Sequence, residues 1–283
     1  MQLLAHGGAG GDPDDPETRQ QQLDRAVQAG ADADDPEAAV LATVHELEAS
    51  PRFNAGSGSA VQSDGVIRTD AGLMREDGTT GAACSMPGVE HAGDVARVVA
   101  HETPHVLLAG ENAIALAEAF GVATDGDLWS EQQRQRWAEL DPPDTDDRGE
   151  HLRWVREQFG GTDTVGAVAV EGDRLAALTS TGGRWCALAG RVGDVPQVGA
   201  GFYASEHAAV SATGAGEAIA RFGLSRWVDD AIADGTDPAT ACERGMTAFE
   251  EATGDTAGVI AVDREGRTGG AFNSDSLQTG SSR

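Results

Sequence analysis

The strand-rich runs at 165–179 and 256–271 most constrain this chain, because each carries a tight turn: Glu171-Gly172-Asp173 in one, Arg264-Glu265-Gly266 in the other. Between them, 215–233 and 237–252 read as helices. The first half has a similar mixture. A short apolar strand over 2–11 runs into glycines, and helical spacing across 15–49 predicts two helices. They are broken near 30–36, where Pro36 suits a first helical position. Alternation over 56–73 predicts a hairpin turning at Asp64-Gly65, and 94–120 is helical with an interruption at Pro104. Strands and helices thus occur in both halves without a regular βαβ alternation. That pattern predicts antiparallel sheets covered by helices, an α+β fold, over a doubly wound parallel sheet. With no internal repeat and no Ser- or Pro-rich linker, 1–283 is expected to form a single domain.

Charge narrows the function classes. Asp and Glu total 47 against 20 basic residues, a formal net charge of -27, and every one of those basic residues is Arg. A surface this acidic and free of Lys suits a very salty cytosol, where ions screen self-repulsion; the alternative is an acidic protein from a GC-rich genome, where Lys codons are scarce. It also repels phosphate backbones and anionic lipid, so neither a nucleic-acid nor a membrane partner is expected. Cys84, Cys186 and Cys242 are isolated and fit no disulfide or C-x-x-C framework. The N-terminus lacks a basic n-region, and no apolar run approaches a membrane span, which predicts a cytoplasmic protein. The most polar stretch is 125–161, with Asp141-Pro142-Pro143-Asp144-Thr145-Asp146-Asp147 its least structured part. It reads as a mobile surface segment flanked by one or two short helices.

Two motifs that look chemical fail on inspection. His101-Glu102-Thr103-Pro104-His105 matches the H-E-x-x-H pattern of zinc proteases, but Pro104 breaks the helix that would align both histidines. A helix end followed by the strand Val106-Leu107-Leu108 is the better reading. The glycines of 7–11 lack the dinucleotide-binding spacing, and without Lys a Walker loop is excluded.

The segment Gly161-Thr162-Asp163-Thr164-Val165-Gly166-Ala167-Val168 is different because of its company. A Thr at the head of a buried strand is ordinarily a good strand former. Downstream, however, come Thr179-Ser180-Thr181-Gly182-Gly183, Gly190-Arg191-Val192-Gly193-Asp194 and Thr213-Gly214-Ala215-Gly216-Glu217. They supply hydroxyls, glycine-exposed amides, a guanidinium and a carboxylate, the parts that hold a zwitterionic amino acid and stabilise an oxyanion.

Taken with His6-Gly7-Gly8-Ala9-Gly10, Phe53-Asn54-Ala55-Gly56-Ser57-Gly58-Ser59, Thr103-Pro104-His105-Val106-Leu107-Leu108 and Gly258-Val259-Ile260-Ala261-Val262-Asp263, the chain resembles the plant-type asparaginases and isoaspartyl peptidases of the N-terminal-nucleophile hydrolase superfamily. The resemblance implies a four-layer αββα sandwich and a precursor that cuts itself between Asp163 and Thr164, giving an α subunit 1–163 and a β subunit 164–283. Thr164 then carries both a nucleophilic hydroxyl and, in its freed α-amine, a base titrating near ~7.7–8.0.

By the same resemblance Thr181 orients the Thr164 hydroxyl, and Thr213 with the Gly214 amide forms the oxyanion hole. Arg191 clamps the substrate α-carboxylate and Asp194 its α-ammonium, with Gly216 lining that pocket. Asn54 supports the site from a loop whose backbone carbonyls at Leu47, Glu48, Ser50, Phe53, Ala55 and Ser57 hold a structural Na+ or K+. No cofactor is required for the chemistry. The substrates implied are L-asparagine, β-aspartyl (isoaspartyl) dipeptides or both, and the assembly implied is a dimer of αβ units.

The resemblance loosens around 30–36 and over 272–280, which bears on substrate preference. A glycosylasparaginase, differing in the room around the leaving amine, and a non-cleaving, non-catalytic binding relative are the rival readings. Intact Thr164, Arg191 and Asp194 argue against the second.

Overall fold

In a computed structural model, the structure describes residues 1–143, 145, 147–161 and 163–282; Asp144 and Asp146 of the acidic stretch, Thr162 and Arg283 lie outside the described residues. In chain order the strands are β1 (Gln2–Gly10), β2 (Arg68–Arg75), β3 (Thr80–Pro87), β4 (Leu107–Ala109), β5 (Val165–Glu171), β6 (Arg174–Thr181), β7 (Phe202–Ala204), β8 (Ala208–Gly214), β9 (Ala257–Asp263), β10 (Thr268–Phe272) and β11 (Ser276–Ser281). The helices are α1 (Pro16–Ala31), α2 (Pro36–Glu48), α3 (Ala92–Glu102), α4 (Gly110–Ala119), α5 (Glu131–Ala138), α6 (Arg148–Gln158), α7 (Gly216–Phe222), α8 (Leu224–Ala233) and α9 (Pro238–Thr253).

Two sheets result: a seven-stranded one in the order β11-β1-β5-β6-β2-β3-β4 and a four-stranded one in the order β10-β9-β8-β7. Every pairing is antiparallel except β3 with β4. The fold is therefore α+β, as the irregular strand–helix order predicts.

Side-chain alternation along the strands explains how each sheet is covered. On β5, Val165, Ala167 and Ala169 join a cluster with Leu23 and Val27 of α1, Val40 and Val44 of α2 and Val95 of α3. The opposite face of β5 sends Val168 and Val170 into another cluster with Ala209 of β8 and Ile260 and Val262 of β9. On β8, Val210 and Ala212 point away from the large sheet, toward Leu224 and Val228 of α8 and Phe249 of α9. With both faces covered, these strands read as unbroken apolar runs, as 165–170 does.

Three helices start with one device. Asp15, Asp35 and Asp237 each accept the amide of the residue three positions on, and a proline follows each at the first helical position. Each such cap contributes about 1 kcal/mol. Pro104 ends α3 as anticipated: Thr103 is already extended at φ -133° and ψ 158°, and β4 follows. The expected helix over 215–233 is two helices, because Gly223 adopts a left-handed conformation at φ 76°.

The hairpin expected over 56–73 forms only in part. Asp64-Gly65 does turn the chain, closing the single bridge Val61 to Ile67, but the ladder lies further on, between β2 and β3. Residues 56–59 are loop because their backbone is committed elsewhere: the Ser57 amide goes to the Glu48 carbonyl and the Gly58 amide to that of Leu128.

The polar stretch does contain two short helices, α5 and α6, and among the described residues its tryptophans are docked. Trp137 meets Trp129, Trp154 and Trp185 edge-on at 6.2, 6.0 and 6.3 Å. This aromatic cluster fastens the segment before Thr164 to a residue after it. Among the described residues no helix is long and apolar enough to cross a membrane.

Candidate active site

The register of β5 against β6 sets the centre of the site. Val165 lies opposite Ser180, and one step further along the two strands brings Thr164 to Thr181. The Thr164 hydroxyl donates to Thr181 Oγ1 at 3.2 Å. Thr181 in turn donates to the Asp163 carbonyl oxygen at 3.2 Å and accepts the Gly183 amide at 3.0 Å. Asn54 Nδ2 donates to that same Asp163 carbonyl and to the Gly183 carbonyl, both at 2.6 Å, while its Oδ1 accepts the Ala60 amide. A buried hydroxyl thus lies beside a peptide carbonyl that already accepts two hydrogen bonds. Chemically, that arrangement suits attack by the hydroxyl and stabilisation of the oxyanion it creates.

The Asp163 side chain points to α1. Its Oδ2 lies 2.9 Å from Arg19 Nη2, and the same guanidinium donates to the Gly7 carbonyl and rests over the Phe53 ring at 4.9 Å. Burial pushes the Asp163 carboxyl up to about 6, with Arg19 pulling against it. Gly8 permits this approach: a Cβ there would overlap Asp163 Oδ1 and lie 3.1 Å from the Thr164 nitrogen.

A second group gathers around Gly216. A Cβ on Gly216 would lie 2.5 Å from Asp194 Oδ1 and 2.7 Å from Arg191 Nη2, so the glycine leaves room for an acid and a base to face one another. Arg191 Nε donates to Glu217 at 2.8 Å, but its Nη2 and Asp194 Oδ2 are buried without a hydrogen-bond partner among the described residues. Orphaned charged atoms of opposite sign are what an amino acid zwitterion would satisfy. Burial pushes Asp194 up to about 6, with its own backbone amide and then Arg191 opposing. Burial also penalises Glu217, but its hydrogen bond and attraction to Arg191 prevail and hold it at about 2.

Gly183 joins the two groups, since it bonds to Thr181 and Asn54 while an added Cβ would sit 3.6 Å from Arg191 Nη1. Thr213 is fully buried at the end of β8, where its hydroxyl accepts the Ala9 amide at 3.1 Å and so keeps its own proton to donate. Gly214 beside it has φ 135° and backs onto Ala257 and Thr256, where a Cβ would clash. Among the described residues no hydrogen bond ties Thr213 directly to Thr164; the link runs through Ala9 and Gly8.

The loop at 47–57 is held by its own backbone. The carbonyls of Leu47, Glu48 and Ser50 accept the amides of Ser50, Ser57 and Phe53 at 3.2, 2.8 and 3.3 Å. A Cβ on Gly58 would lie 2.7 Å from the Pro51 carbonyl oxygen and 2.9 Å from that of Phe53. Carbonyls retain a second lone pair, and a set of neutral oxygens suits a hard monovalent cation. Among the described residues no group of three His, Cys, Asp or Glu could hold a metal.

Residues not singled out from sequence complete the site. Arg19 falls on the apolar stripe of α1 with Leu23, Ala26 and Val27, a periodic position that could have exposed it. Asp70 pairs in register with Thr181 and bonds the Ser85 amide at 2.6 Å. Burial pushes its carboxyl up to about 7, while Arg191 lowers it and Asp194 raises it. His6 lies within β1, opposite Gly166, and its Nε2 contacts Ser211 Oγ at 2.8 Å, which meets Thr179 at 2.7 Å. Burial lowers His6 to about 3, so it is neutral.

Known proteins are similar to this chain in sequence. A plant-type L-asparaginase of Pyrobaculum calidifontis is 39% identical over 290 residues, covering 98% of this chain and 95% of its own. An isoaspartyl peptidase of Salmonella typhimurium is 39% identical over 246 residues, covering 84% and 78%, and an isoaspartyl peptidase/L-asparaginase of Xenopus laevis is 33% identical over 287 residues, covering 97% and 90%. A family profile described as asparaginase matches residues 1–282, essentially the whole chain that builds this site, and the chain therefore belongs to the asparaginase family.

Proposed function

We propose that this chain is a threonine amidohydrolase. It cuts itself between Asp163 and Thr164, then hydrolyses the side-chain amide of L-asparagine or the isopeptide bond of β-aspartyl dipeptides. The observation that carries the reading is the Thr164 hydroxyl poised beside an Asp163 carbonyl that accepts from both Asn54 and Thr181.

In the precursor, Thr164 Oγ1 attacks the Asp163 carbonyl carbon while Asn54 and Thr181 donate to the developing oxyanion. The C–N bond breaks, the hydroxyl proton passes to the departing nitrogen, and an ester remains that water opens. This leaves Asp163 as a carboxylate and Thr164 with a free amine and hydroxyl. In the processed enzyme that amine takes the hydroxyl proton as Oγ1 attacks the substrate carbonyl, with Thr213 and the Gly214 amide facing the oxyanion. The ammonium returns the proton to the leaving nitrogen, and a water then hydrolyses the aspartyl ester. Arg191 and Asp194 hold the substrate α-carboxylate and α-ammonium, and Gly216 leaves the space between them. The products are aspartate plus ammonia or an amino acid.

The architecture fits the same reading: helices α1–α3, the large sheet, the small sheet and helices α8–α9 are the four layers of an αββα sandwich in one domain. Subunits 1–163 and 164–283 remain together, held by the paired β1 and β5, and pair into a dimer of αβ units. The carbonyls of Leu47, Glu48, Ser50, Phe53, Ala55 and Ser57 hold Na+ or K+, which braces Asn54. The acidic surface supports residence in a saline cytoplasm.

The test is a denaturing gel with intact mass. Wild type gives two fragments meeting at Asp163/Thr164, and Thr164→Ala stays whole and inactive. Cutting of purified Thr164→Ala at that bond refutes the mechanism.

A further inference from the structure

Arg19 is a buried guanidinium whose carboxylate partner is the residue that self-cleavage severs. It is 7% exposed and is fixed by the Gly7 carbonyl, by Gln278 Oε1 at 3.4 Å and by the Phe53 ring. Its ion pair goes to Asp163 at 2.9 Å. Once the bond is hydrolysed, Asp163 bears a new α-carboxylate beside its side-chain carboxylate and is no longer tethered to β5. Like charges repel, and the tail end can withdraw. Arg19 cannot follow, and a buried guanidinium without a counter-charge is unfavourable.

The chemistry of the processed enzyme says what comes to that place. The α-ammonium of Thr164 must protonate the leaving nitrogen, so the leaving group passes beside the Thr164 nitrogen, on the side from which Asp163 was cut. The carboxylate seen there sits close to this nitrogen: a Cβ placed on Gly8 overlaps Asp163 Oδ1 and is 3.1 Å from Thr164 N. Asp163 also lines a cavity of about 330 Å³ with Gly10, Phe53, Asn54, Gly183 and Trp185, which gives a leaving residue room.

We infer that Arg19 is a specificity residue that binds the free carboxylate of the leaving amino acid of a β-aspartyl dipeptide, taking it in place of the Asp163 side chain. In such a dipeptide the carboxylate is one carbon from the leaving nitrogen. The ammonia that leaves asparagine has none. The site therefore favours β-aspartyl dipeptides with a free C-terminus over asparagine and over their C-terminal amides. Arg19 stands behind Asp163 and meets the cavity through it. Arg52 and Arg136 line the cavity themselves, but Arg52 is exposed and paired with Asp15, while Arg136 lies over the Trp185 ring at 4.1 Å.

This rests on the amidohydrolase reading, and the experiment separates the two. Processed wild-type protein is assayed at one fixed KCl concentration on L-asparagine, β-aspartyl-glycine and β-aspartyl-glycinamide. The acid should exceed the amide in kcat/KM by about tenfold or more, as expected for a buried charged hydrogen bond. In Arg19→Gln that ratio should fall toward one, mostly through KM, and Arg19→Lys should keep part of it. Equal use of acid and amide by wild type, with asparagine turned over, overturns the role of Arg19 and leaves the hydrolase reading standing. That wild-type comparison holds even if Arg19→Gln fails to cut itself. No turnover of any of the three by cleaved protein overturns both.

Discussion

Asn54 donates from one amide nitrogen to the carbonyls of both Asp163 and Gly183, each at 2.6 Å. The loop that follows α2 is thereby tied to the carbonyl on which the proposed self-cleavage would act and to the turn after β6. Removing one such oxyanion donor ordinarily costs about 10²–10³ in rate. Asn54→Ala should slow self-cleavage by about that factor while the precursor stays folded, read from a gel time course beside a thermal melt. Cleavage at the wild-type rate would mean that Thr181 alone stabilises the oxyanion.

Arg191→Lys keeps a positive charge but loses the planar fork that presents Nη2 beside Gly216 while Nε holds Glu217. Self-cleavage should proceed normally, because no hydrogen bond of Arg191 reaches Asp163 or Thr164 among those described. Turnover should drop by about a hundredfold, in line with losing a charged bidentate contact. Unchanged kinetics would show Arg191 to be only the ion-pair partner of Glu217.

The acid limb of activity follows from Asp194. Burial raises its carboxyl to about 6, so it loses its charge as pH falls through that value and, in its proposed role, could no longer pair with the substrate ammonium. kcat/KM of the processed enzyme should therefore fall about tenfold per pH unit below 6 from this group alone. The Thr164 α-amine, protonated below about 8, steepens the limb. Asp70, raised to about 7 by burial, titrates in the same window. His6, lowered to about 3, and Glu217, lowered to about 2, do not. A kcat/KM profile flat from pH 7 to pH 5 would remove Asp194 from substrate binding.

Salt dependence follows from charge. The 47 acidic residues outnumber the 20 arginines, and the net charge is -27. At 0.1 M salt the screening length is about 10 Å, and neighbouring carboxylates repel; at 1 M it is about 3 Å. The melting temperature should rise with KCl into the molar range, and self-cleavage should be most complete there. A melting temperature that stays flat or falls in a KCl titration would show that the acidity is no salt adaptation.

The sequence by itself determined the elements whose signals are local. The Asp-Pro starts of α1, α2 and α9, the turn at Gly172 and the end of α3 before Pro104 rest on backbone constraints carried by one or two residues. It also brought Asn54, Asp163, Thr164, Thr181, Arg191, Asp194 and Gly216 forward as candidates, through hydroxyls, charges and glycines in a family order. What only the tertiary structure decided was which of them meet. Thr164 reaches Thr181 through the β5–β6 register, and Asp163 reaches Arg19 across 144 positions of sequence. The 56–59 segment alternates like a strand, yet it is a loop because its amides bond Glu48 and Leu128, partners that no local pattern names. Arg19, Asp70 and His6 stayed hidden for a related reason. A charged or imidazole side chain on an apolar face signals burial, but its partner and its shifted ionisation depend on groups that folding brings from distant parts of the chain.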